Sequence, residues 1–207
     1  MPDSSVSPIT TQTGQLQPAH LDQAASIFYE AFRLKLHHLE LFARTREQAM
    51  RVLKGSFRPD NAIFAFEQER LVGLVGLEHA DGQRFLDINP AVLRSEFGRF
   101  GALWRTAWLQ ISHAYQRPGQ GLMRIDSIAV EAGGRGKGVG TLLLNQAIEH
   151  ARQLGCRAVM LEVVDTNPRA RQLYERMGFY VHKEEWYGPI TARAGLSGVA
   201  FMRKKLL

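Results

Sequence analysis

The sequence is poor in cysteine: Cys156 stands alone among 207 residues, so no disulfide can close within the chain. Paired cysteines and His-x-x-x-His spacings are both missing, which removes the usual zinc-ligand patterns, and no metal is expected. No apolar run approaches the ~18 residues of a membrane span, so no membrane partner is expected either. Met1 to Gln17 is polar and lacks the apolar stretch of a secretory signal, which points to a cytoplasmic protein. Acidic residues are outnumbered, 20 against 26 Lys and Arg, for a formal charge of +6. The basic residues are spread without a long cluster, so nucleic acid is not the expected partner. What remains is ordinary globular composition, 45% hydrophobic and 22% charged, sufficient for one domain with a substantial core.

The most informative stretch is Ile125-Asp126-Ser127-Ile128-Ala129-Val130, followed after four residues by Arg135-Gly136-Lys137-Gly138-Val139-Gly140 and then an amphipathic helix. A strand ending in a glycine-rich turn that opens a helix aims several backbone N–H groups at one point, where the helix dipole also favours negative charge. That arrangement suits a diphosphate. A dinucleotide G-x-G-x-x-G motif begun at Gly136 would need a glycine where Thr141 stands, and one begun at Gly134 meets Val139. A nucleotide P-loop fails as well, because Lys137 is followed by Gly138 rather than Ser or Thr.

The spacing that fits is Arg/Gln-x-x-Gly-x-Gly, met by Arg135, Gly138 and Gly140, and it resembles the pyrophosphate loop of the GNAT N-acetyltransferase superfamily. A strand from Ala158 to Val164 follows, then Asn167-Pro168-Arg169-Ala170-Arg171-Gln172-Leu173-Tyr174-Glu175-Arg176-Met177-Gly178-Phe179, which looks like that superfamily's second acetyl-CoA segment. The resemblance is strong over residues 123 to 182; one departure is Ala132-Gly133-Gly134, where the family often has proline and polar residues. It implies an α/β fold with a mixed, mainly antiparallel sheet splayed between strands 4 and 5 and helices on both faces. It also implies acetyl-CoA as co-substrate, no metal, and direct acetyl transfer to a primary amine in a ternary complex. The cofactor-binding positions carried over are Ile128, Ala129, Val130, Arg135, Gly136, Lys137, Gly138, Val139, Gly140, Thr141, Asn167 and Tyr174. A catalytically silent acyl-CoA-binding regulatory protein is the alternative.

Along the chain, residues 1–13 read as a tail and 14–207 as a single domain, with Gly14 to Pro18 as a short first strand. Helices are expected from Ala19 to about Leu41 and from Thr45 to Lys54, the second capped by Thr45, and a hairpin from strands Ala62–Gln68 and Leu71–His79. An insertion at about 87–121 follows, where Asn89 and Pro90 open a helix with Leu93, Phe97, Phe100, Trp104, Ala107 and Ile111 on one face, broken at Gly98 or Gly101. That face either covers the sheet, walls the acceptor pocket or joins two copies in a homodimer at Trp104 and Trp108. The helix Val139 to Leu154 should bury Leu142, Leu143, Ala147, Ile148 and Ala151, and Phe179–Lys183 and Val199–Arg203 should close the sheet around a loop at 188–198.

Acyl transfer needs an acid for the departing thiolate, and Tyr174 matches a family position for it; its other reading is a core tyrosine with a satisfied hydroxyl. With reference pKa values of about 10 for Tyr and about 8.5 for a thiol, full proton transfer is uphill by roughly 2 kcal/mol. An amine of pKa near 10.4 is mostly protonated at pH 7, a handicap of roughly 4 kcal/mol, so a base or desolvating pocket is needed. Asp126 resembles the position of catalytic bases in some family members, with Glu162 on the adjacent strand as second candidate. Asp126 reads equally as a buried carboxylate hydrogen-bonded to backbone or paired with an Arg. Asn167 is a helix cap, alone or with a ligand contact besides. His37, His38, Arg44 and Arg46 fall where the family often builds acceptor specificity, although such residues commonly face solvent. Cys156, without a neighbouring His, reads as an inert thiol.

Overall fold

The computed structural model describes residues 8–114, 117–187, 191 and 195–206. Seven strands form one sheet in the order β1-β2-β3-β4-β5-β7-β6: β1 Ile9–Thr13, β2 Ala62–Glu67, β3 Arg70–Glu78, β4 Leu122–Val130, β5 Ala158–Val164, β6 Tyr180–Trp186 and β7 Gly198–Lys205. Every neighbouring pair is antiparallel except β4 and β5. Helices α1 (Leu21–Lys35), α2 (Arg46–Lys54) and α3 (Pro90–Ala114) lie towards one face. On the other face lie α4 (Val139–Gln153) and α5 (Pro168–Arg176). Each face therefore has its own apolar core, one built on Phe28, Phe64 and Phe85, the other on Val75, Leu143 and Leu161.

The parallel pair is short. Its register runs from Leu122↔Ala158 to Ile125↔Leu161 and stops, although β4 continues to Val130 and β5 to Val164. The two strands part beyond Ile125, which leaves the β5-facing edge of Asp126 to Val130 without a ladder partner. The splay expected between strands 4 and 5 is thus a feature of the sheet.

A second irregularity sits at the same place. Gly76 pairs with Ser127 but Leu77 pairs with Ile125, so Asp126 is an extra residue on β4, a β-bulge. Before it, Met123 and Ile125 pack on the α4 side; after it, Ala129 packs on the α1 side, with Ile128 and Val130 towards α4. The bulge reverses the alternation of the strand, and Asp126 and Ser127 consequently both turn towards α1.

Several boundaries depart from the sequence reading. Ile9–Thr13, expected in the tail, is the edge strand β1, because its β-branched residues pair with Ile63–Glu67. Gly14, expected to begin a strand, ends one: its φ is +74 and its N–H closes onto Ala62 O at 2.9 Å. Residues 1–7 of the expected tail, and much of the expected loop at 188–198, lie outside the described residues. Helix α1 gives way to a π-turn at Leu36–Glu40 rather than running on as α-helix. In α4 the buried stripe includes Val139 and Leu144, while Leu142 is only half-buried.

The expected apolar face of α3 is the largest correction. Gly98 adopts φ 70 and ψ 174 inside the helix, which shifts the phase of everything after it. Leu93 is buried, but beyond the break the buried positions are Ala102, Arg105 and Leu109, and Phe100, Trp104 and Ile111 are exposed. Arg105 occupies a core position because its guanidinium is consumed: Nε donates to Leu41 O at 2.6 Å and Nη2 to Phe42 O at 3.1 Å, while Nη1 donates to Gly101 O at 3.1 Å. Its plane lies over Phe97 and Trp104, and Trp108 Nε1 adds a bond to Leu39 O at 2.7 Å. The insertion thereby clamps the segment that leaves the π-turn. Replacing Arg105 by Ala strands these carbonyls, and a stability loss of about 3 kcal/mol in denaturant unfolding is expected; a loss below about 1 kcal/mol would show that the clamp does not hold the segment.

Candidate active site

The glycine loop begins where β4 ends. A 3-10 turn at Ala132–Gly134 leads to Arg135 in extended conformation, and Gly136 and Gly138 have φ of +79 and +83, a region that L side chains disfavour. Gly138 is the N-cap of α4. A Cβ added at Gly136 or Gly138 would meet no protein atom within 4 Å, so these glycines border open space. Leu142 N donates to Gly138 O at 2.9 Å as the first turn of α4 closes, and the geometry of a helix start leaves the N–H groups of Val139, Gly140 and Thr141 without carbonyl partners. Two amides of the expected set turn inwards instead: Arg135 N faces Ala132 O and Lys137 N faces Gly134 O, each at 3.4 Å. The side chain of Arg135 folds back, with Nε 3.4 Å from Val130 O.

Helix α5 packs over this corner. Asn167 Oδ1 accepts from Ala170 N at 3.2 Å, so its cap role is realised, and Leu173 approaches the Cβ position of Gly140 at 3.8 Å. Tyr174, on α5, is 5% exposed and belongs to the apolar core of the α4 and α5 face, its ring 6.1 Å from that of Phe179. Burial pushes its hydroxyl up to about 12. Full proton transfer to a thiolate is then uphill by roughly 5 kcal/mol, more than the sequence reading assumed.

The carboxylates meet at the fork between β4 and β5. Arg124, two residues before Asp126 on β4, is nearly inaccessible and joins three strands: Nε donates to Glu78 Oε2 of β3 at 2.7 Å, Nη2 to Asp126 Oδ1 at 3.1 Å and Nη1 to Glu162 Oε1 of β5 at 2.9 Å. Burial disfavours the charge of Arg124, but Asp126, Glu162 and Glu78 together raise its pKa. Burial also raises the carboxyl of Glu78, against the pull of Arg124. The pairing of Asp126 with an Arg, one of its two sequence readings, is present. Asp126 and Glu162 are brought together by it.

A pocket opens on the α1 side of the bulge. Asp126 and Ser127 form its floor, Phe28, Phe32, Leu86, Ile88 and Leu109 give it apolar walls, and Lys35, Glu40 and Arg84 stand around them. Its enclosed volume is small, about 20 Å³, and it opens to solvent. Lys35 is half-exposed and bonded to Glu40 at 2.7 Å; burial lowers its pKa, but Glu40, with Asp126 and Glu162 behind it, raises it further. Leu109 reaches the pocket from α3.

Other sequence candidates lie elsewhere. His37 Nδ1 donates to Ala43 O at 2.6 Å and its Nε2 bonds Tyr29 Oη at 2.9 Å, while Arg46 lies over Tyr29 and donates to Ser26 Oγ at 3.0 Å. These residues brace α1 against α2 rather than lining the pocket. Burial raises the thiol pKa of Cys156. Among the described residues no group of three or more His, Cys, Asp or Glu could hold a metal, and no helix is long and apolar enough to cross a membrane.

A family model described as Acetyltransferase (GNAT) family matches residues 22–179, which carry the fork, the glycine loop and α5. The chain belongs to the GNAT acetyltransferase family. Membership implies acetyl-CoA as co-substrate, and the open space at Gly136 and Gly138 beside unpartnered amides fits its phosphates. The chain is 32% identical over 102 residues to streptothricin acetyltransferase of Streptomyces lavendulae, covering 49% of this chain and 47% of that one. It is also 32% identical over 123 residues to mycothiol acetyltransferase of Propionibacterium freudenreichii subsp. shermanii, covering 59% and 38%. The match thus spans less than half the length of these relatives. A GCN5-related N-acetyltransferase from Kribbella flavida shares the GNAT fold at a TM-score of 0.58 and 20% identity, over 95% of this chain and 97% of that one.

At the fork Arg124 is the shared partner of Glu78, Asp126 and Glu162. Arg124→Met leaves three buried or half-buried carboxylates without their cation, and a loss of about 3 to 5 kcal/mol at pH 7 is expected in urea unfolding. Without Arg124 nothing opposes the burial that already raises the carboxyl of Glu78, so the deficit is fully present at neutral pH and shrinks as pH falls towards 4. A deficit independent of pH would contradict the role given to Arg124.

Proposed function

We propose that the chain is an acetyl-CoA-dependent N-acetyltransferase acting on a primary amine, in the cytoplasm and without a metal. The observation that carries this reading is the fork: the unpaired edge of β4 opens between the amide-rich start of α4 and a pocket floored by Asp126. The N–H groups of Gly136 and of Gly138 to Thr141 hold the pyrophosphate, with the Arg135 and Lys137 side chains as solvent-screened helpers. Backbone of Ile128, Ala129 and Val130 pairs with the pantetheine arm, beside Asn167. The thioester then lies near the fork, between Tyr174 and the pocket.

In this reading the amine nitrogen attacks the thioester carbonyl, a C–N bond forms as the C–S bond breaks, and the nitrogen's proton passes to Asp126, directly or through water. Glu162, held by the same Arg124, is the second candidate base. Tyr174 stabilises the thiolate by a hydrogen bond, because its raised pKa opposes complete proton transfer. A silent acyl-CoA-binding protein is the competing reading, and acceptor-dependent CoA release separates the two. Phe100, Leu103 and Trp104 on α3 present an exposed apolar face for contact between two copies in a homodimer.

Gly140→Ala isolates the ligand from the fold. The added methyl meets Leu173 and Val130 only at 3.8 and 3.9 Å, ordinary contacts, and it improves helix propensity by up to about 1 kcal/mol. Thermal stability should hold or rise while acetyl-CoA affinity falls at least about tenfold by calorimetry; unchanged affinity would remove the loop from the site. Tyr174→Phe should lower kcat about tenfold or more with acetyl-CoA affinity unchanged, and an unchanged kcat would end the acid role. Asp126→Asn should flatten the acidic limb of the kcat/KM profile; flattening by Glu162→Gln alone would move the base there.

A further inference from the structure

Ser127 is buried, and its Oγ has no hydrogen-bond partner. A hydroxyl in that state costs stability, so its place on the floor of the pocket calls for a function. Two features of the backbone put it there. The bulge at Asp126 turns Ser127 towards α1, and Gly76 opposite leaves it room: a Cβ at Gly76 would lie 2.6 Å from Ser127 Oγ. Asp126 and Ser127 thus present a carboxylate and an unsatisfied hydroxyl side by side.

The charges around that pair lean negative. Glu40, Glu78, Asp126 and Glu162 face Lys35, Arg84 and Arg124; Lys35 is bonded to Glu40, Arg124 to the other three carboxylates, and the charge of Arg84 acts on Glu78. A phosphorylated or carboxylated acceptor would meet this surplus unfavourably, and an ammonium would be favoured. Beyond the floor the walls are side chains of Phe28, Phe32, Leu86, Ile88 and Leu109, which offer an incoming molecule apolar surface. A polyamine would have to bury a second cation there without a partner.

We propose that the acceptor is a primary amine carried on an apolar body, an alkyl or aralkyl amine, whose ammonium is received by Asp126 and by Ser127 Oγ. The inference rests on the acetyl-transfer reading for its location but not for its test. Amine binding is measured by calorimetry on the full chain saturated with CoA, so a catalytically silent protein would still report its preference. Along the series methylamine to hexylamine, affinity should rise about two- to fourfold per methylene. 2-Phenylethylamine should bind at least tenfold more tightly than spermidine or glucosamine 6-phosphate. A flat or falling series, or equal or tighter binding of either polar amine, would overturn the proposal. Ser127→Ala should lose about tenfold or more in hexylamine affinity. The same variant should keep its CoA affinity and its melting temperature, since it removes an unsatisfied group. Unchanged hexylamine affinity in that variant would remove Ser127 from the site. Acceptor-dependent CoA release with the same amines then reports on acetyl transfer separately.

Discussion

One guanidinium holds the fork together. Arg124 binds carboxylates from β3, β4 and β5 at the point where β4 and β5 cease to pair. A parting of two central strands leaves backbone polar groups unpaired, which proteins ordinarily avoid. The charge-assisted bonds of Arg124 fasten the last joined residues, so the strands can diverge beyond them without fraying further back. The same bonds fix the positions of Asp126 and Glu162, the two carboxylates proposed as base. Structure and chemistry therefore share a single cation, and a buried pair of this kind is tolerated because each partner is satisfied.

Around this point the fold assigns separate tasks to its two faces. The α4 and α5 face offers amides, glycines and a buried tyrosine, suited to an anionic, extended cofactor. The α1 face offers an apolar pocket with a polar floor. The bulge at Asp126 links them, because reversing the alternation of β4 lets one strand place Ile128 and Val130 towards α4 while aiming Asp126 and Ser127 towards α1. The α3 insertion serves the second face. Arg105 and Trp108 tie down the carbonyls of Leu39, Leu41 and Phe42, and Leu109 on the same helix completes the pocket wall.

The glycine turn and the cap of α5 were legible in the sequence because they are local: a strand, a glycine turn and a helix start occupy one contiguous stretch, as do the cap and helix from Asn167 to Gly178. The pocket on the α1 face was not, because it is assembled from distant segments. Glu78, Lys35, Glu40 and Leu109 become neighbours of Asp126 only through strand pairing and helix packing. Arg124 carried a signal that could have been used, an arginine two residues from a candidate base on one strand. The bulge carried none, since it is visible only as a shift in register. In α3 the apolar period was real, but a single residue, Gly98, in non-helical conformation changed which side of it is buried.

The central claim is that acetyl-CoA lies across the start of α4 and enters the fork beside β4. Hydrogen exchange of the backbone amides, with and without saturating acetyl-CoA, tests it most directly. The account predicts slowed exchange at Gly138 to Thr141 and along Asp126 to Val130 together, with little change on β1 and β6. Unaltered exchange at both sites, or protection confined to another part of the sheet, would contradict it.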